Sequence, residues 1–125
     1  MYQRCDIMWL QIQRTDGLWY WAEYSTFSIS DEVGKYQLTV DGYSGDAGDA
    51  LAGPVDPRDV NNGMMFTTLD SDNDGYAEGN CAVTRGGWWH KLCSLSIINT
   101  DTDGLWVIVR LTIDVQASRM FVKLN

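Results

Sequence analysis

Basic residues are scarce in this chain. Nine Lys and Arg stand against 17 Asp and Glu in 125 residues, a formal charge of −8 and a pI near 4.3. A protein that binds duplex nucleic acid or an anionic membrane needs a basic face, so this balance argues against both. Histidine occurs once, at His90, and as the only one it lacks the partners of a His-based metal site or a Ser-His-acid triad. No apolar run approaches the roughly 20 residues that span a bilayer, which argues against membrane insertion. Residues Met1 to Leu10 lack the basic stretch followed by an apolar one that marks a signal peptide. There are only 2 prolines, no internal repeat and no helix of ordinary length. Nor is there a nucleophile elbow, a phosphate-cradling glycine loop or a CxxC motif, so nothing proposes an enzyme.

What is present is aromatic and β-prone. Six Trp, six Tyr and three Phe accompany 12 Gly and a hydrophobic fraction of 45%. Such a chain has too much large apolar surface to be disordered, and its length suits one domain. Met8 to Gln13 alternates apolar and polar residues, the period of a half-buried strand. The turn signal Thr15-Asp16-Gly17 separates it from Leu18 to Tyr24, so residues 8–24 read as a β-hairpin. Phe27 to Ile29 reads as a short extended piece, Asp31 to Lys35 as a turn or a single helical turn after a cap-type Ser30, and Tyr36 to Tyr43 as a strand. Ser44 to Asn62 holds both prolines among Gly and Asp and must be mostly loop. Leu105 to Val115 is strongly β-prone, and Met120 to Leu124 suits a last strand. The fold class expected is α+β but mainly β, with a twisted antiparallel sheet, short helices and long loops.

Two loops carry the chemistry. In the first, Asp70, Asp72 and Asp74 alternate before Gly75. Carboxylate oxygens at alternate positions of a loop suit Ca²⁺, which takes 6–8 oxygen ligands. The opening matches an EF-hand loop, but Cys81 stands where that loop needs a closing Glu, and no amphipathic helices flank it. A different calcium loop, closed by backbone carbonyls, stays open beside the plain reading of a solvated acidic turn.

The second loop lies between Cys81 and Cys93 and carries Gly86-Gly87, Trp88-Trp89 and His90. The cysteines number three, with Cys5, so one pair and one left over is the simplest reading in an oxidising compartment. Adjacent Trp residues point to opposite sides of an extended chain, so one is expected in the core and the other in a groove. His90 reads most plainly as a surface or packing residue.

Together these residues resemble a known family. Phe27-Ser28-Ile29-Ser30-Asp31-Glu32, Lys35-Tyr36, the run Gly42 to Leu51, Phe66-Thr67-Thr68-Leu69-Asp70, Gly79-Asn80-Cys81-Ala82 and Gly86-Gly87-Trp88-Trp89 occur in the order seen in the fibrinogen-like C-terminal domain of fibrinogen, ficolins, angiopoietins and tachylectins. The likeness runs from about Leu10 to about Asn99, with residues 1–9 and 100–125 poorly matched. Residues 1–125 then read as one partial domain of that type, without most of the family's N-terminal subdomain. Cys5 matches no position of the family.

The resemblance implies a secreted, calcium-binding recognition domain with no enzymatic activity. It assigns Ca²⁺ to the side chains of Asp72 and Asp74 and to the carbonyls of Tyr76 and Gly79, although the loop carries one extra residue around Ala77. It pairs Cys81 with Cys93. In lectin members the peptide bond before the second cysteine is commonly cis and its amides help hold an acetyl group; Leu92-Cys93 is the counterpart here. Trp89, His90, Leu92, Cys93 and Ser94 are the ligand-binding residues so implied, with His90 where the family usually has Tyr. The function implied first is calcium-dependent, lectin-like recognition of acetylated glycans in innate defence. The alternatives are an extracellular protein-interaction or matrix domain with structural calcium, and a degenerate fragment without ligand binding. Homo-oligomerisation is expected only through sequence N-terminal to this segment.

Overall fold

A computed structural model describes residues 6–54, 56–100, 104–108 and 111–124. Cys5, whose role the sequence leaves open, lies outside them. The described elements are β1 (Asp6–Arg14), β2 (Trp19–Ile29), β3 (Leu38–Gly45), a 3-10 turn (Pro57–Asp59), α1 (Ala82–Arg85), β4 (Ser96–Ile97), β5 (Gly104–Ile108) and β6 (Leu111–Lys123). The strands form an antiparallel sheet in the order β3-β2-β1-β6-β5-β4. The fold is mainly β, as the alternating patterns require.

The hairpin expected over 8–24 is present, and β2 continues through the separate piece read at Phe27 to Ile29. Asp6 pairs with Phe27 but Met8 with Tyr24, so β2 accommodates one extra residue as a bulge and stays a single strand. At the hairpin turn Gly17 adopts φ 94°, a left-handed geometry that glycine reaches without steric cost. The C-terminal reading needs correction. Leu105 to Val115 is not one strand: the chain reverses within it, and Trp106 pairs with Ile113 across β5 and β6. Met120 and its neighbours are the far end of β6, which runs antiparallel along β1 with Leu10 opposite Met120. A run β-prone on both sides of a reversal shows no periodicity break to mark it.

One face of the sheet forms the core. Met8, Leu10 and Ile12 of β1, Ala22 and Tyr24 of β2, Leu38 and Val40 of β3, Trp106 of β5 and Ile113 of β6 are buried together with Ala47, Ala50 and Leu51 from the long loop. Burying each large side chain here stabilises by roughly 1.5–3 kcal/mol. Trp106, fully buried, donates its indole N–H to the carbonyls of Ala47 at 3.1 Å and Gly48 at 3.0 Å, which pins the loop after β3 onto the sheet. Tyr24 donates its hydroxyl to Asp49 Oδ1 at 2.7 Å and fixes the next turn of that loop. Burial first, and the Asp49 carboxylate second, raise the pKa of the Tyr24 phenol. The opposite face presents Trp9, Trp21 and Phe121 to solvent, and the Arg119 guanidinium lies 4.6 Å from the ring centre of Trp19.

Candidate functional site

The two loops singled out in the sequence lie side by side beyond the core face. The lead into the acidic loop pairs with the cystine loop: Thr67 N–H donates to the Trp88 carbonyl at 2.9 Å, and Trp88 N–H returns the bond at 3.1 Å. Two asparagines that carry no role of their own in the sequence motifs shape the acidic loop. The backbone N–H of Asn73 donates to Thr67 Oγ1 at 3.0 Å, and its side-chain amide donates to the Phe66 carbonyl at 2.8 Å. Asn80 donates its side-chain amide to the Thr68 carbonyl at 2.9 Å and accepts the Ala82 N–H at 2.8 Å. Asn is suited to this, because its short amide satisfies backbone groups that a turn leaves unpaired.

The carboxylates sit inside that frame. Asp72 Oδ1 accepts the Asp74 N–H at 3.2 Å, and Asp74 Oδ1 accepts the Tyr76 N–H at 2.9 Å. Asp74 Oδ2 accepts the Cys81 N–H at 2.8 Å, which ties the acidic loop to the start of α1. Asp70 accepts the Thr68 hydroxyl at 2.7 Å. The Tyr76 carbonyl accepts a long turn bond from Gly79 N–H at 3.4 Å. The structure thus brings Asp72, Asp74, Tyr76 and Gly79 onto one short loop. Their donor atoms are all hard oxygens, and each carboxylate retains lone pairs beyond these amide bonds, so the set has the chemistry Ca²⁺ prefers. Among the described residues no three His, Cys, Asp or Glu side chains converge, so a cation here would need backbone carbonyls as well.

Cys81 and Cys93 form a disulfide with Cα atoms 5.6 Å apart. Gly75 N–H donates to the Lys91 carbonyl at 2.7 Å, so the two loops are also joined by backbone. The described residues contain no cis peptide bond, and Leu92-Cys93 is trans; the cis geometry that the resemblance associates with an acetyl site is corrected on this point.

The residues assigned to a ligand divide in two. Leu92 is exposed and Cys93 half-buried, whereas Trp89, His90 and Ser94 lie in the interior. Trp88 and Trp89 do not split between core and groove. Both are buried, with ring centres 4.9 Å apart, because Phe66 packs edge-on against Trp89 while the Tyr36 carbonyl takes its indole N–H at 2.8 Å. A buried indole whose N–H has found an acceptor is stable inside. His90 is fully buried, with Nδ1 2.6 Å from Ser94 Oγ and Nε2 2.8 Å from the Gly86 carbonyl. Burial pushes its pKa below the ordinary imidazole range, outweighing the opposite pull of the Gly86 carbonyl and Asp74. Asn61, also missed from sequence, links this histidine to Trp88 through Ser94 and Ser96.

What reaches solvent is a groove of about 560 Å³ between the acidic loop, α1 and the disulfide, lined by Tyr76, Asn80, Val83, Arg85, Leu92 and Cys93 among others. The loops beyond the sheet thus present a cystine-stapled groove beside an acidic turn. The chain belongs to the fibrinogen family: the model of the C-terminal globular domain of fibrinogen beta and gamma chains matches residues 3–106. Fibrinogen-like protein A of Apostichopus parvimensis is 42% identical over 94 residues, covering 72% of this chain and 30% of that protein. The chain therefore spans less than a third of the length of that curated relative. Among solved structures, the fibrinogen-like globe domain of human ANGPTL2 matches with a TM-score of 0.80 and 28% identity, covering 98% of this chain and 59% of that one. A lamprey fibrin D-dimer complexed with the peptide Gly-His-Arg-Pro-amide matches with a TM-score of 0.80 and 25% identity, covering 97% of this chain and 46% of that one.

Proposed function

We propose that this chain is a secreted recognition domain that takes an extracellular protein segment in the groove between its acidic loop and its disulfide. Calcium acts in this reading as a structural staple. Asp72 and Asp74 would hold it through their carboxylates, and Tyr76 and Gly79 through their carbonyls; bound there, the ion supplies charge that keeps the loop closed. The observation that carries the reading is the joint construction of the groove: one wall is the acidic loop, the other is α1 with the cystine, and Asp74 bonds both its own loop and Cys81.

A disulfide suits an oxidising, extracellular compartment. Described residues include no helix long and apolar enough to cross a membrane. The lamprey relative's peptide complex supports a peptide-class ligand. The acetylated-glycan reading is the weaker of the two, since Trp89, His90 and Ser94 have little or no surface with which to touch a sugar. Binding, not catalysis, is the activity such a groove supports.

Peptide and acetylated-glycan arrays, probed in calcium and in EDTA, test this. The expected result is calcium-sensitive capture on the peptide array, lost in Val83→Glu, which places a charge on an exposed groove residue. Capture on glycans alone would replace the partner class, and capture on neither would reject the groove as a recognition site.

A further inference from the structure

We propose that His90 is a proton-operated latch that holds the cystine loop shut at neutral pH and releases it in acid. The wiring around it fits one tautomer of the neutral ring. The Gly86 carbonyl only accepts, so Nε2 carries the proton of the neutral ring, and Nδ1 must then accept from the Ser94 hydroxyl. Ser94 Oγ in turn accepts from Asn61 Nδ2 at 2.8 Å. Asn61 is fixed in orientation at both ends, donating also to the Trp89 carbonyl at 2.9 Å and accepting the Ser96 hydroxyl at 3.0 Å. The relay ends at Trp88, whose indole N–H donates to Ser96 Oγ at 2.9 Å. Every donor runs in one direction, and no buried side-chain polar atom among the described residues is left without a partner.

Protonating Nδ1 reverses the first bond of this relay. Ser94 Oγ would then face two donors, and its own proton would lose its acceptor inside a buried site. An orphaned donor and a buried charge are both costly, so the acid form favours a conformation in which His90 reaches water. The charged groups that act on the ring are Asp74, which favours the cation, and Arg85, which opposes it; burial, the largest influence, also opposes it. Lys91 follows His90 directly, and its carbonyl receives the Gly75 N–H, so opening at His90 would also unseat the acidic loop. This regulation goes beyond the proposed binding role and needs neither calcium nor a ligand to be tested.

The test compares the wild-type protein with His90→Gln, whose side-chain oxygen and amide reproduce the neutral ring's acceptor and donor but do not titrate. In EDTA, the wild-type Tm is expected to fall between pH 7.5 and 5 by about 3–6 °C more than that of His90→Gln. The imidazole nitrogens of the wild type, followed by NMR, are expected to show the Nε2–H tautomer at neutral pH and to titrate together with the Trp88 indole N–H. Parallel loss of Tm in the two proteins would overturn the proposal. So would an Nδ1–H tautomer, or a ring that titrates while the Trp88 signal stays still.

Discussion

Asn61 shows how one side chain can carry long-range order in a loop-rich protein. It joins residues 28 to 35 positions away in sequence, and it is wholly buried. Asn61→Ala strands the Trp89 carbonyl and the Ser96 hydroxyl proton, and takes from Ser94 one of its two partners. The expected cost is about 3 kcal/mol in urea denaturation, far above the effect of a surface substitution. Nothing in the sequence distinguished Asn61 from Asn62 beside it, because an Asn in a Gly- and Pro-rich stretch reads as a turn former and its partners are remote. That Asp72 and Asp74 share one loop was legible for the opposite reason: their alternation before Gly75 is local, and local spacing survives folding. Cys81 and Cys93 were legible through the family resemblance, and the disulfide is present. Trp89, His90 and Ser94 were singled out as ligand residues, and that all three lie inside was not legible, since burial depends on elements far away, including Tyr36 and Phe66.

At the scale of elements, the hairpin of β1 and β2 could be read from alternation alone, because a two-period pattern broken by Asp-Gly has few other solutions. The hairpin of β5 and β6 could not, since its strands lie within one β-prone run. α1 is set by its ends: Asn80 accepts the Ala82 N–H, and Gly86 follows the last turn with φ 77°. A side chain at Gly86 would meet the Asn99 carbonyl oxygen at 1.8 Å, so Gly86→Ala combines strained backbone with a clash against main chain. Its expected cost is more than about 2 kcal/mol. Gly63 has a similar φ of 88° but open space around it, so Gly63→Ala should cost only about 1 kcal/mol. Thermal denaturation of the two variants checks the difference; equal effects would mean that the approach of α1 to Asn99 is not tight.

For the whole molecule, the formal charge of −8 and the acidic loop act in the same direction. Carboxylates gathered on a short loop repel one another unless a cation or hydrogen bonds compensate them, and here amide N–H groups of Asp74, Tyr76 and Cys81 already do part of that. A divalent ion would complete it. The disulfide limits the freedom of the adjoining segment, and closing a loop of this size contributes about 3 kcal/mol in the chain-entropy model. Cation and cystine would then hold the same groove from two sides, and a ligand that binds the folded state alone would stabilise it by mass action. The most direct measurement is differential scanning calorimetry of the wild type, Asp72→Ala and Asp31→Ala, each in saturating calcium and in EDTA. A calcium-dependent rise in Tm of several degrees is predicted for the wild type and for Asp31→Ala, whose carboxylate accepts the Gly34 N–H in a distant turn. Most of that rise should vanish in Asp72→Ala. An unchanged wild-type Tm in calcium, or an equal rise in Asp72→Ala, would contradict the calcium-stapled groove.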